Sequence, residues 1–117
     1  MALKFYEYKK CGTCRKAAKS LHSKGVSFTA IPIRERPPTP AELRRMLKIY
    51  GGNLRRLFNT SGEDYQRLNL KTRLAAMSEA EAIALLAANG NLVKRPFVLG
   101  DTWGAVGFKP EEWGEVC

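Results

Sequence analysis

Two cysteines three residues apart, Cys11-Gly12-Thr13-Cys14, lie where a strand pattern gives way to a helix pattern, and this junction constrains the chain more than any other feature. The preceding segment Leu3-Lys4-Phe5-Tyr6-Glu7-Tyr8 is aromatic-rich and alternates in its first half, as a strand does, and Lys9-Lys10-Cys11-Gly12 ends it. From Cys14 onward the apolar or small residues Cys14, Ala17, Ala18 and Leu21 recur at i, i+3, i+4 and i+7, with Gly25 where a helix C′ residue belongs. A cysteine at a strand-to-helix junction faces the unpaired N–H groups and partial positive charge of the helix N-terminus. Lys9, Lys10, Arg15 and Lys16 add cationic character. Helix N-termini, nearby cations and Cys-x-x-Cys spacing each lower a thiol pKa, so Cys11 is the expected thiolate nucleophile. Cys14, one turn on, is the expected resolving thiol.

Other readings of the pair are half of a zinc site and an inert dithiol. Zinc needs two further ligands, and His22 and Cys117 form no second paired motif. Three cysteines are an odd count, which excludes a complete disulfide framework, and the terminal Cys117 reads as a bystander.

The order of the remaining elements follows from periodicity and punctuation. Val26, Phe28, Ala30, Ile31 and Ile33 give a second apolar strand, closed by Pro37-Pro38. Thr39-Pro40-Ala41-Glu42 is a capping box with proline at the first helical position, and Leu43, Met46, Leu47 and Tyr50 form the stripe of the helix it opens. Leu54, Leu57 and Phe58 suggest a short helical turn. Ser78-Glu79-Ala80-Glu81 is a second capping box, opening a helix through Ile83 and Leu86 to Gly90. Phe97–Leu99 and Ala105–Phe108 flank a Gly100–Gly104 turn and read as a β-hairpin, and Pro110-Glu111-Glu112-Trp113 reads as the start of a final short helix. The expected order is β-α-β, a helical block at about 39–90, β-β, α, an α/β chain. Its 117 residues fit a single domain spanning residues 1–117.

The charge of +9 favours anionic partners, although many of the basic residues, Arg55, Arg56 and Lys94 among them, read as solvated helix surface. Aromatics are not interleaved with the cations, and no helix reads as a groove-entering element, so direct nucleic-acid binding is not expected. No apolar run approaches the length of about 18 residues that a membrane span needs. Met1–Glu7 does not resemble a secretory leader, so the cytoplasm and a monomer are expected.

Lys10 to Ala17 and Val93-Lys94-Arg95-Pro96 together resemble the arsenate reductase-like (ArsC/Spx/YffB) family of thioredoxin-fold proteins. Phe58-Asn59-Thr60-Ser61-Gly62 with Tyr65 and Leu68, and Val106-Gly107-Phe108-Lys109 before Trp113, are similar to its other signatures in order and interval. The resemblance covers nearly the whole chain and implies a thioredoxin-like fold with a helical insertion. It also implies Cys11 as catalytic cysteine, Arg95 as the arginine that binds an oxyanion, and Pro96 as the proline held cis beside the site. Gly12, Thr13, Arg15, Asn59 and Lys109 complete the implied substrate-binding set, with no metal and no bound cofactor.

Glutaredoxin-linked arsenate reductases carry two further arginines, and the corresponding positions here are Asn59 and Lys109. Lysine lacks the planar fork that grips an oxyanion, and asparagine brings no charge. Dedicated reductases also commonly lack the second cysteine, which the Spx regulators have. The resemblance therefore implies a thiol-dependent reductase with glutathione as cosubstrate and glutathione, glutaredoxin or thioredoxin as partners. Its alternative is a redox-sensing regulator that binds RNA polymerase.

Overall fold

The structure is a computed structural model, and it describes residues 3–109 and Trp113. Four strands form one mixed sheet in the order β2-β1-β3-β4, with β1 Leu3–Glu7, β2 Phe28–Pro32, β3 Phe97–Leu99 and β4 Gly104–Val106. β1 pairs with β2 in parallel, Leu3 opposite Phe28 through Glu7 opposite Pro32. It pairs antiparallel with β3, and β3 with β4. The connection from β1 to β2 is helix α1, Gly12–Ser23, as the periodicity predicts.

Alternation along the strands divides the core into two layers. Leu3 and Phe5 of β1, Val98 of β3 and Ala105 of β4 pack against Cys14, Ala17 and Leu21 of α1 and against Trp113. Tyr6, Phe97, Leu99 and Val106 face the opposite side and meet the helical block. That block contains α2 Pro40–Ile49, α3 Glu63–Arg67, α4 Leu70–Arg73 and α5 Glu79–Ala88, with 3-10 turns at 54–57, 74–76 and 90–92. Leu43, Met46 and Leu47 of α2 and Ile83 and Leu86 of α5 are among the residues it buries. Both expected capping boxes form at the starts of α2 and α5.

The second strand is shorter than its apolar run. Gly25 takes φ +70° and the Val26 amide bonds back to Leu21 O at 3.0 Å, so the helix ending claims Val26 before β2 begins. The short α3 and α4 have no side-chain cap at Gly62 or Asn69, and hence no start signal in the sequence. The final-helix residues Pro110-Glu111-Glu112 and Cys117 lie outside the described residues. Trp113 is buried, makes edge contacts with Trp103 and Phe108, and donates its indole N–H to Gly107 O at 3.3 Å.

Candidate functional site

The site begins at the start of α1. Cys11 is the N-cap, in extended conformation, and its Sγ accepts the Cys14 amide at 3.3 Å. The Cys11 amide donates to Tyr8 O at 3.0 Å, which closes the turn out of β1. Cys11 is half-buried, Cys14 is buried, and both are free thiols.

Burial alone would push the Cys11 thiol up. Hydrogen bonds from the Cys14 thiol and amide, and from the Arg95 guanidinium with its charge, outweigh that and hold the Cys11 pKa below the ordinary thiol value. Cys14 moves the other way. Burial first, then its hydrogen bond to Cys11 and the neighbouring Cys11 charge, push it up to about 12. One helix start thus shifts two identical side chains in opposite directions, Cys11 toward thiolate and Cys14 toward thiol.

Arg95 arrives from the opposite end of the chain. It precedes Pro96 through a cis peptide bond, as the family resemblance implies. Its guanidinium lies over the Tyr8 ring, 5.0 Å from the centroid. Arg34 also lies over that ring, at 4.9 Å, and donates to the Tyr8 hydroxyl at 2.9 Å. Tyr8 therefore fastens Cys11 through its carbonyl and Arg95 through its ring, a role that its place at the end of an aromatic strand pattern does not announce.

The other expected residues divide between two concavities that share Arg95. A cavity of about 420 Å³ is lined by Thr13, Arg95 and Lys109 together with Arg55, Arg56 and Lys94. A second, of about 430 Å³, holds Asn59 with Tyr8, Arg34 and Ser61. Asn59 and Lys109 thus lie around different hollows, on either side of Arg95. Arg15 donates to Lys9 O at 3.2 Å, bracing the cysteine turn. A Cβ on Gly12 would meet nothing within 4 Å, so the first turn of α1 is open to an incoming group. Pro96 O accepts the Gly107 amide at 3.0 Å, which joins the cis-proline turn to the strand end leading to Lys109.

The convergence of Arg55, Arg56 and Lys94 was not visible in the sequence, because it depends on a pairing between distant segments. Phe58 and Val93 form an antiparallel bridge, the Lys94 amide donates to Leu57 O at 2.8 Å, and the Asn59 amide donates to Leu92 O at 2.7 Å. These bonds lay the 54–57 turn against residues 92–95. Among the described residues no three His, Cys, Asp or Glu side chains gather where a metal ion could be held. No helix among them is long and apolar enough to cross a membrane.

Comparison with known proteins agrees with this architecture. The ArsC family model matches residues 6–116. The uncharacterized protein YusI of Bacillus subtilis is 46% identical over 115 residues, covering 98% of each chain. The crystal structure of a putative ArsC family related protein from Bacteroides fragilis superposes with a TM-score of 0.94 at 43% identity, over 100% of this chain and 98% of that one. More distant relatives include an arsenate reductase of Rhizobium meliloti, 26% identical over 85% of this chain and 69% of its own. A global transcriptional regulator Spx of Staphylococcus epidermidis is 26% identical over 87% and 76%.

Proposed function

The chain belongs to the ArsC family and has its thioredoxin-like fold, and from that premise we propose that it is a thiol-dependent reductase whose nucleophile is Cys11. The observation that carries this reading is the opposed shift of the two thiols at one helix start: Cys11 is held toward thiolate and Cys14 toward thiol. In the proposed cycle the Cys11 thiolate attacks an electrophilic sulfur or oxyanion centre, and Arg95 offsets the negative charge that develops there.

With a disulfide R–S–S–R, an S–S bond forms between Cys11 and one R–S group, and the other leaves as R–S⁻ and takes a proton from solvent. Cys14 then gives its proton to solvent and attacks the Cys11 sulfur. Capture of Cys11 removes both its charge and the hydrogen bond it accepts, two of the causes that hold the Cys14 pKa high, so resolution is enabled by the first step. The second R–S⁻ leaves, Cys11 and Cys14 become a disulfide, and two electrons have passed to the substrate. Glutathione, glutaredoxin or thioredoxin would restore the dithiol. Arsenate is a weaker candidate, because Asn59 and Lys109 stand where dedicated reductases carry arginine.

The test is reduction of a model disulfide by purified, fully reduced protein, followed as release of R–S⁻. Cys11→Ser should fall to the rate without protein, and Cys14→Ser should stop at the mixed disulfide, visible as an added mass. Equal rates in wild type and Cys11→Ser would overturn the assignment.

A second reading draws on the Spx relative and on the presence of both cysteines: a redox switch that binds RNA polymerase. Retention of RNA polymerase by immobilised protein in one redox state, lost in the other, would favour it. No retention in either state would reject it.

A further inference from the structure

The register of the sheet decides which residue meets Arg95. β1 and β3 pair antiparallel, with Lys4 opposite Leu99, Phe5 opposite Val98 and Tyr6 opposite Phe97. Carried two residues past the end of that pairing, the same register sets Tyr8 opposite Arg95. Residues two apart on a strand share a face. The edge contact of Tyr6 with Phe97, 5.7 Å between ring centroids, is therefore followed along that face by Arg95 over Tyr8, 5.0 Å from the ring centroid. Such cross-strand neighbours lie close enough for their side chains to interact.

Arg34 comes to the same ring from the other neighbour of β1. The Ile33 amide donates to Glu7 O at 2.9 Å, which carries the β1–β2 pairing one residue beyond Pro32, and Arg34 follows. Its guanidinium lies 4.9 Å from the Tyr8 centroid and donates to the Tyr8 hydroxyl at 2.9 Å. The two arginines are not equivalent toward the thiol. Against the effect of burial, the groups that act on Cys11 are Cys14 of α1 and Arg95, and Arg34 is not among them. Among the described residues the Arg95 guanidinium is held by two groups, the Cys11 sulfur and the Tyr8 ring. Ordering a long arginine side chain costs rotamer freedom, and attraction of the cation to an aromatic face offsets part of that cost.

We propose that Tyr8 is a positioning residue for the reaction: its ring, steadied at the hydroxyl by Arg34, holds the Arg95 guanidinium at the Cys11 sulfur. This deepens the reductase reading above, on which it rests, by naming what places the cation beside its nucleophile. The ring has this role rather than the backbone, because the bond from the Cys11 amide to Tyr8 O survives a change of the Tyr8 side chain.

The experiment follows alkylation of Cys11 by iodoacetamide, a neutral probe, in the reduced full-length protein across pH, with the modified residue located by mass. Below the wild-type midpoint the rate reports the thiolate fraction, since the thiolate is the nucleophile. In Tyr8→Leu that rate should fall severalfold and the midpoint should rise, whereas Tyr8→Phe, which keeps the ring, should retain most of the wild-type rate. Added to Arg95→Gln, Tyr8→Leu should change the rate by less than about twofold, because two changes that remove one interaction do not add. A wild-type profile in Tyr8→Leu, equal losses in Tyr8→Phe and Tyr8→Leu, or a full Tyr8→Leu effect on top of Arg95→Gln overturns the proposal. Tyr8→Met, which also removes the ring, repeats the comparison if Tyr8→Leu does not fold. Disulfide reduction judges the underlying reading separately: equal rates in wild type and Cys11→Ser reject the reductase assignment and this proposal with it. If Cys11→Ser is inactive while Tyr8→Leu keeps the wild-type alkylation profile, only the positioning role of Tyr8 is refuted.

Discussion

The starts of α1 and α2 meet the same physical demand in opposite ways. Each helix begins with unpaired backbone N–H groups that need an acceptor. At α2, Thr39 Oγ1 accepts the Glu42 amide at 3.2 Å and Glu42 Oε1 accepts the Thr39 amide at 3.0 Å, a closed reciprocal pair. Glu42, 8% exposed, also receives the Tyr6 hydroxyl at 2.7 Å and the Lys4 ammonium at 2.8 Å. At α1 the acceptor is the Cys11 sulfur, the first turn holds no acid, and nothing reciprocates. Oxygen caps complete a helix start and make it inert. A sulfur is a weak acceptor when protonated and a better one as thiolate, so the α1 start draws Cys11 toward its charged, reactive form. The second cap, at α5, repeats the α2 pattern with Ser78 and Glu81.

Three substitutions would break or sharpen this contrast. The largest effect is expected from Arg95→Gln, which removes a hydrogen bond and a charge from Cys11: its pKa should rise. The rate with a neutral disulfide at pH 7 should fall in proportion to the lost thiolate, while thermal stability changes little. Absorbance titration together with disulfide kinetics across pH would record both.

Glu42→Gln should act in reverse, lowering stability by about 1–3 kcal/mol in denaturant unfolding with no movement of the Cys11 pKa. Burial pulls the Glu42 pKa up, but its bonds to Lys4, the Thr39 amide and Tyr6 hold it below the usual carboxylate value. Stability from Glu42 is therefore fully present above the ordinary glutamate pKa of about 4.3 and is lost as pH falls through the folded value, and Glu42→Gln should flatten that acid limb. The smallest effect belongs to Ser78→Ala, an exposed cap whose loss should cost about 1 kcal/mol and leave the cysteines untouched. A Cys11 pKa that moved with either cap variant would show the helix starts to be coupled rather than independent.

The capping boxes, the strand-CxxC-helix junction and the hairpin were legible in the sequence because each is written within a few neighbouring residues. Tyr8 and the cationic cavity were not. The contact between Tyr8 and Arg95 joins residues 87 positions apart, and the meeting of Arg55 with Lys94 depends on the bridge between Phe58 and Val93, a pairing no local periodicity encodes. Arg55 and Arg56 read as solvated surface because their own turn is short and polar; the distant segment that carries Lys94 supplies the opposite wall. Arg95 and Pro96 were placed by family resemblance, and the cis bond at Pro96 agrees with it. Asn59 was grouped with Lys109 by that resemblance, yet the two line different hollows.

The central claim is that the start of α1 lowers the Cys11 pKa toward thiolate. The most direct measurement is the ultraviolet absorbance of thiolate as a function of pH in the reduced protein, with the transition that Cys11→Ser removes assigned to Cys11. The account predicts that this transition has its midpoint below the ordinary thiol value of about 8.5. A midpoint at or above that value would contradict it.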